Sequence, residues 1–415
     1  YVWSDTADRY RETRIIFLDS EPSNWTFDPR RGQYYWHRFF DHQPDLNYDN
    51  PAVQRAMLRV VQFWIDQGVD GVRVDAPPYL FEREGTNCEN LPETHAYFKR
   101  LRAFVDAYAP GTMLLSEANQ WPEDVREYFG DGDEFHMNFH FPLMPRIYMA
   151  LARGERSAIE QILARTPDLP ASCQWGAFLR CHDELTLEMV TPDERTFMWD
   201  FYAPEPRMRL NLGIRRRLAP LLGNDRARIE VANSILLTLI GSPVLYYGDE
   251  IGMGDNIWLE DRDGVRTPMQ WDDGPNAGFS NAPADRLSDP VIDDPVFGYQ
   301  RVNVEAQAAD PNSLLNWTRR ILRLRRQHPV FGRGALHRLT PDNPAILAYV
   351  RQDASETVLI VNNLADSPQE VTLDLAAYAG QTLVDLWTGD TLGHLADGRL
   401  ELSLPRYGWR WFAFT

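Results

Sequence analysis

Acidic residues stand at or near the ends of separate strand-like segments of the sequence. Asp75 ends the β-branched run GVRVD, Glu117 ends TMLLSE, and Asp183 closes QWGAFLRCHD. Two carboxyl groups that flank an acetal carbon are the minimum set for glycoside chemistry, because one attacks or stabilises the cationic centre while the other protonates the leaving oxygen. We therefore predict a carbohydrate-active site in which Asp75 attacks and Glu117 donates the proton.

The residues next to these acids fit such roles. Arg73 lies two residues before Asp75, on the same face of a strand, where its charge would keep that aspartate ionised as a nucleophile requires. Glu117 needs the opposite environment, a less polar one that raises its pKa and keeps it protonated until it acts. His182 and Asp183 could bind sugar hydroxyls, although a local hydrogen-bonded pair is an equal alternative.

The elements that position these residues alternate along the chain. From about residue 52, helical patterns such as AVQRAMLRVVQFWIDQG are followed by short apolar strands such as VDGVRVD, which is the pattern of a parallel sheet built from βα units. Active sites of (β/α)₈ barrels lie at the carboxyl ends of the strands. Strand-end acids also cap helices, but three of them on three strands favour a shared pocket.

The pattern changes after the helix NSLLNWTRRILRLRRQH. Alternating strands separated by turns follow, as in AILAYVRQDASETVLIVNNL, which indicates a small antiparallel β domain. We predict an α/β fold with three parts. These are an irregular excursion over 1–50, a (β/α)₈ TIM barrel over 51–330 that appears as strands 4–8 only, and an antiparallel β-sandwich over 331–415.

Composition excludes several classes of function. A formal net charge of -18 in 415 residues would repel phosphate backbones, which argues against nucleic acid as a partner. No apolar run approaches the roughly 18 residues of a membrane span. Three scattered cysteines do not form a disulfide framework or a CxxC metal site. We expect a cytoplasmic protein with a small-molecule substrate, and the sequence leaves a homo-oligomer open.

Six ordered motifs carry a family resemblance. They are QPDLN at 43–47, GVRVDAPPYL at 71–80, LLSEAN at 114–119, FLRCHDE at 178–184, GSPVLYYGDEIGM at 241–253 and DRDGVRTPMQW at 261–271. Together they resemble the α-amylase superfamily of glycoside hydrolases. Within it, YYWHRFF, REGTNCENLPETH, FPLMPRI and HDELTLE look most like the trehalose synthases, the maltose α-D-glucosyltransferases.

The resemblance implies roles for individual residues. Asp75 would be the nucleophile, Glu117 the general acid/base and Asp183 the stabiliser of the transition state. The donor glucose would be held by Arg73, His182 and Arg266. A structural calcium ion, which prefers oxygen ligands, would bind the side chains of Asp45 and Glu82 and the carbonyl oxygens of Tyr79 and Leu80. No organic cofactor is implied.

The implied reaction interconverts maltose and trehalose by retaining double displacement within one bound disaccharide. Its released glucose needs a closed pocket, and the candidate wall residues, for which loop packing is the alternative role, are Tyr79, Asn119, Glu184 and Glu188. An exo-acting α-glucosidase of the oligo-1,6-glucosidase type is the first rival, and a non-catalytic amylase-like subunit the second. The sequence departs from the family where Cys181 replaces the usual Asn and where the Asp-to-Asn-His motif of strand 3 is absent.

Overall fold

The computed structural model describes all residues from 1 to 415. The chain divides into two compact units, one formed by residues 1–139 and 166–175 and the other by residues 140–165 and 176–415. No helix in it combines the length and the apolar character of a membrane span.

The first unit begins with a small antiparallel sheet. Its strands are β1 (Trp3–Ser4), β2 (Trp25–Asp28) and β3 (Gln33–Trp36), in the order β1-β3-β2. Tyr10, Trp25 and Trp36 pack ring against ring over it, with centroid separations of 5.0 to 5.9 Å. The segment predicted as an irregular excursion therefore contains a short sheet with an aromatic core of its own.

The rest of the first unit alternates helices with parallel strands. The elements are α1 (Pro51–Asp66), β4 (Gly71–Asp75), α2 (Pro92–Tyr108), β5 (Met113–Glu117), α3 (Pro122–Arg126) and β6 (Met137–Phe139). The side chain of Asn50 caps the first turn of α1, and proline occupies the first helical position of all three helices, where no amide partner is lost. Strand β4 pairs with β5 and β5 with β6, all parallel, so the carboxyl ends of these strands lie at one edge.

The second unit continues the alternation. Its elements before the C-terminal strands are α4 (Leu143–Arg153), α5 (Ser157–Arg165), β7 (Gln174–Phe178, of which the last three residues belong here), β8 (Leu185–Thr186), α6 (Pro192–Tyr202), β9 (Arg209–Leu210), β10 (Gly213–Ile214), α7 (Leu218–Leu221), α8 (Arg226–Thr238), β11 (Ser242–Val244), α9 (Val304–Ala309), α10 (Leu314–Gln327) and α11 (Val330–Arg333). Strand β11 pairs in parallel with β7. The chain thus has five parallel strands interleaved with helices, as predicted for part of a barrel.

Two of these strands are shorter than the sequence patterns suggested. Strand β7 ends at Phe178, so Asp183 lies in a loop five residues further on rather than on the strand. Strand β11 ends at Val244, and the acidic residues of its motif lie in a 3-10 turn over Asp249–Ile251. Apolar composition continues past the point at which strand pairing stops, because buried loop residues are apolar as well.

The C-terminal part is antiparallel, as predicted. It contains β12 (Ala335–Leu339), β13 (Ile346–Gln352), β14 (Thr357–Asn363), β15 (Gln369–Asp374), β16 (Thr382–Asp385), β17 (Thr391–His394), β18 (Arg399–Leu404) and β19 (Trp409–Phe414). Six of them form a sheet in the order β12-β13-β14-β19-β16-β17, and β15 pairs with β18. One hydrophobic core joins Leu359 and Phe412 of the large sheet to Leu373 and Leu404 of the small one, which is the arrangement of a sandwich.

A buried arginine of the large sheet caps a helix of the same unit. Arg351 on β13 is 2% exposed, and its guanidinium donates to the carbonyl oxygens of Thr238 (2.7 Å), Leu239 and Gly334 (2.9 Å). The first two carbonyls close α8, whose last carbonyl groups have no partner within the helix. Burial lowers the pKa of Arg351 to about 10. The cap fixes the point at which the chain leaves α8 for β11.

Candidate active site

Two of the predicted catalytic acids lie side by side in the first unit. Asp75 and Glu117 are the last residues of β4 and β5 and occupy paired positions in the parallel register. Adjacent strands are about 4.8 Å apart, and residues in register point to the same face. The side chain of Asp75 is 78% exposed and that of Glu117 only 12%. One acid is therefore open to an incoming molecule while the other is largely shielded from water.

Arg73 links the two acids. Its Nη2 lies 3.4 Å from Oδ1 of Asp75 and also pairs with Oε2 of Glu117. The contact with Asp75 brings together the two residues that the sequence placed on one face of the strand. The expectation of a less polar setting for Glu117 needs correction, since its shielded carboxylate lies against a guanidinium. Spacing along one strand could not reveal this contact, because Glu117 belongs to the neighbouring strand.

The backbone turns sharply directly after Asp75. Ala76 adopts a left-handed conformation with φ of 47°, which non-glycine residues rarely occupy. The 3-10 turn Pro77–Tyr79 follows, and the ring of Tyr79 packs edge-on against Phe39 with the guanidinium of Arg38 over its face at 4.6 Å. Tyr79 is thus held near the end of β4. Asn119, another predicted pocket residue, lies two residues after Glu117 in the loop before α3.

The second unit contains the third acid and its cationic partners. Oδ1 of Asp183 accepts hydrogen bonds from Nη2 of Arg266 at 2.7 Å and from Nη1 of Arg262 at 3.0 Å. Nε2 of His182 lies 3.4 Å from Oδ2 of Asp183, and Nε of Arg266 donates to the carbonyl oxygen of His182. The three residues that the sequence assigned to this region, His182, Asp183 and Arg266, form one cluster.

A buried arginine supports the loop that carries this cluster. Arg180 is 1% exposed, and it donates to the carbonyl oxygens of Arg216 and Asp183. Cys181, which departs from the family pattern, places its thiol 3.9 Å from the carbonyl oxygen of Asp183, and burial raises its pKa to about 11. At that pKa the thiol is neutral at physiological pH and acts at most as a weak donor.

The other acids of this loop differ from one another. Glu184 is half-buried and accepts a hydrogen bond from Nδ2 of Asn211 at 3.2 Å, and its partial burial raises its pKa, an effect that the nearby charge of Arg262 partly offsets. Glu188 lies just after β8, where its amide approaches the hydroxyl oxygen of Thr186 at 3.4 Å. Glu184 therefore lies next to Asp183 with its carboxyl group bound to Asn211.

Two carboxyl groups of the first unit, those of Asp45 and Glu82, are the side chains that the resemblance implied as calcium ligands. Burial raises the pKa of Asp45 to about 7, and burial with the neighbouring charge of Asp45 raises that of Glu82 to about 8. One oxygen of Glu82 is buried without a hydrogen-bond donor. No group of three or more His, Cys, Asp or Glu side chains surrounds a metal position, so a cation here would need backbone carbonyls such as those of Tyr79 and Leu80. The buried carboxylate of Glu82, with one oxygen lacking a donor, and the half-buried carboxylate of Asp45 fit a hard cation.

Sequence reasoning missed two arginines of the site. Arg180 and Arg262 both lie inside motifs used for the family resemblance, FLRCHDE and DRDGVRTPMQW, but neither lies two residues from a predicted catalytic acid. The available signal was the density of charge, since each motif places arginine next to aspartate or within three residues of it. Which groups these two arginines contact depends on the paths of the loops in the folded structure.

The family models match nearly the whole chain. Residues 2–195 and 214–334 match the catalytic domain of α-amylase, and residues 336–411 match the C-terminal domain of maltogenic amylase. The α-amylase of H. orenii superposes with a TM-score of 0.75 at 24% identity, covering all of this chain and 74% of that one. The chain belongs to the α-amylase family, with the fold of its catalytic and C-terminal domains.

Relatives of higher identity lie in one branch of that family. The trehalose synthase/amylase TreS of Mycobacterium tuberculosis is 60% identical over the whole chain, which spans 70% of that relative. The trehalose synthases of Pimelobacter sp. and Thermus thermophilus are 57% and 54% identical over the whole chain, which spans 75% and 43% of their lengths. Within the family, the branch is that of the trehalose synthases.

Proposed function

We propose that the protein interconverts maltose and trehalose by moving a glucosyl group within one bound disaccharide. The observation that carries the proposal is the 60% identity, over the whole chain, to a trehalose synthase/amylase. The paired ends of β4 and β5 support it, because Asp75 and Glu117 occupy neighbouring positions in register on adjacent strands, and retaining transfer requires two carboxyl groups close together.

The reaction proceeds in two displacements. Asp75 attacks C1 of the non-reducing glucose of maltose, the bond from C1 to the 4-oxygen breaks, and Glu117 gives its proton to that oxygen. The released glucose then turns, loses the proton of its anomeric hydroxyl to Glu117 and attacks the same C1, which displaces Asp75 and forms trehalose. Two inversions retain the α configuration. Asp183 stabilises the transition-state ring, and Arg73, His182 and Arg266 hold the donor glucose.

The released glucose must be retained and kept from exchange with water, which needs a closed pocket. Tyr79 and Asn119 are candidates for its wall because each lies within four residues of a catalytic acid at a strand end. Glu184 and Glu188 follow Asp183 along the chain. Burial raises the pKa of Glu184, which suits a carboxyl group that binds hydroxyls rather than one that attacks.

Hydrolysis is the competing function. Maltase A1 of Drosophila melanogaster is 28% identical over 91% of this chain, and the same three carboxylates would serve an α-glucosidase. The second rival, a non-catalytic subunit, is disfavoured because Asp75, Glu117 and Asp183 are all retained. Transfer is preferred over hydrolysis because the trehalose synthases are about twice as similar to this chain.

Product analysis on maltose distinguishes these functions. We expect trehalose as the main product, with little free glucose, and no label in trehalose when isotopically labelled glucose is added to the reaction. The variant Asp75→Asn should abolish product, while Asp285→Asn, in an exposed turn of the second unit, should leave it unchanged. Formation of glucose alone would establish the hydrolase instead, and labelled trehalose would contradict transfer within one disaccharide.

We also infer that calcium binds between Asp45 and Glu82, with the carbonyl oxygens of Tyr79 and Leu80 completing the set. A bound dication would replace the protons that burial otherwise keeps on these carboxyl groups, and it would supply structural support rather than chemistry. We expect calcium to raise the melting temperature relative to a chelator, and Glu82→Gln to reduce that rise. The free thiols of Cys88, Cys173 and Cys181 support a reducing compartment such as the cytoplasm.

A further inference from the structure

The loop between Asn256 and Gly264 carries an arginine that reaches Asp183. Nη1 of Arg262 lies 3.0 Å from Oδ1 of Asp183, the same oxygen that Nη2 of Arg266 contacts at 2.7 Å. The other oxygen, Oδ2, lies 3.4 Å from Nε2 of His182. Two guanidinium groups therefore bind the same carboxylate oxygen of Asp183. These contacts also fix the direction in which the other oxygen points.

This loop is closed at its base. The amide of Asn256 donates to the carbonyl oxygen of Gly264 at 2.9 Å, and a Cβ atom at Gly264 would lie 2.1 Å from the carbonyl oxygen of Asn256. Only glycine allows so close an approach of the two backbones. The two ends of the loop are thus held together by close backbone packing and a backbone hydrogen bond.

A second arginine holds the loop from inside. Arg215, which directly follows β10, donates from Nη1 to the carbonyl oxygens of Leu259 at 2.9 Å and Asp261 at 2.7 Å. Asp261 has a φ of 41°, a left-handed conformation that is unfavourable for a residue with a side chain. Such strain persists where the surroundings determine it and is concentrated at functional sites. Here the strained residue directly precedes Arg262 and pairs with its Nε at 3.1 Å.

We propose that Arg262 is a positioning residue that fixes the carboxylate plane of Asp183 and leaves Oδ2 available to the hydroxyl groups of the sugar. The inference rests on the proposed function, in which Asp183 stabilises the transition state. Arg266 cannot fix this plane alone, since its Nε is committed to the carbonyl oxygen of His182. The planar fork of a second arginine supplies directional contacts that a lysine, as a point charge, does not.

The test compares substitutions of Arg262 with the same change at Arg286, which is exposed in a 3-10 turn of the same unit. For Arg262→Ala in the full-length enzyme we expect kcat to fall about a hundredfold, the scale of a small misplacement of a reacting group, with KM little changed. Arg262→Lys should recover only part of this loss. Guanidinium chloride at a sub-denaturing concentration should restore kcat of Arg262→Ala, whereas urea at the same concentration should not. Arg286→Ala should behave as the wild type.

Several results would overturn the inference. They are a wild-type kcat in Arg262→Ala, a wild-type kcat in Arg262→Lys, which would mean that charge alone suffices, and a loss that guanidinium does not reverse. Melting temperatures show whether Arg262→Ala folds, and Arg262→Lys carries the test if it does not. Asp183→Asn separates this inference from the proposed function: full activity of that variant refutes the role of Asp183, whereas its inactivity beside a normal Arg262→Lys refutes only the role of Arg262.

Discussion

Removing the guanidinium of Arg73 should lower kcat/KM for trehalose formation. Nη2 of Arg73 lies 3.4 Å from Oδ1 of Asp75 and also pairs with Oε2 of Glu117. Arg73→Met would therefore leave the nucleophile and the acid/base of the proposed mechanism without the cation that binds both of them. Charge-assisted contacts of this kind also fix the orientation of carboxyl groups, so the geometry of the pair would change as well.

The size of the effect follows from the contacts. A hydrogen bond to a charged group contributes about 1.5 to 3 kcal/mol. The side chain of Asp75 is 78% exposed and that of Glu117 is 12% exposed, so the contact with Glu117 is the less screened by water. At about 1.4 kcal/mol for each tenfold change in rate, kcat/KM should fall by a factor of about 10 to 100.

The assay is the initial rate of trehalose formation from maltose at saturating and at low substrate. Arg55→Met, an exposed substitution on α1, controls for the loss of one positive charge, and we expect it to leave kcat/KM unchanged. Arg73→Lys should lose less activity than Arg73→Met. A wild-type kcat/KM in Arg73→Met would refute the reasoning.

Three further predictions concern stability. Arg351→Met should lower the free energy of unfolding by about 1 to 3 kcal/mol in urea titrations, because it leaves the carbonyls that end α8 without their buried donor, and the exposed Arg326→Met should have little effect. Thr191→Ala should cost about 1 kcal/mol by the same measurement, since the hydroxyl accepts from the amide of the third helical residue of α6 in a capping box; a wild-type midpoint would contradict that cap. Glu82→Gln should abolish most of the calcium-dependent rise in melting temperature, and the matched Glu84→Gln, at a mostly exposed carboxylate, should retain it.

The local sequence pattern was sufficient to predict elements whose residues are all contiguous along the chain. The run GVRVD followed by two prolines indicated a strand that ends at Asp75, and TMLLSE indicated one that ends at Glu117; both strands have those ends. Alternating apolar residues after residue 330 likewise predicted the antiparallel sheet. Periodicity and turn residues report on the hydrogen bonding and burial of neighbouring residues, and these properties are local.

Pairings between distant residues were decided by the tertiary structure alone. Asp183 and Arg262 are 79 residues apart, and they meet because a closed loop, fixed by Arg215, presents the guanidinium to the carboxylate. Arg73 is shared with Glu117 because two strands align in register. The sequence by itself determined which acids are present and which strand each one follows. Which cation meets each acid depends on loop paths and strand alignment, and these result from packing of the whole unit rather than from any single segment.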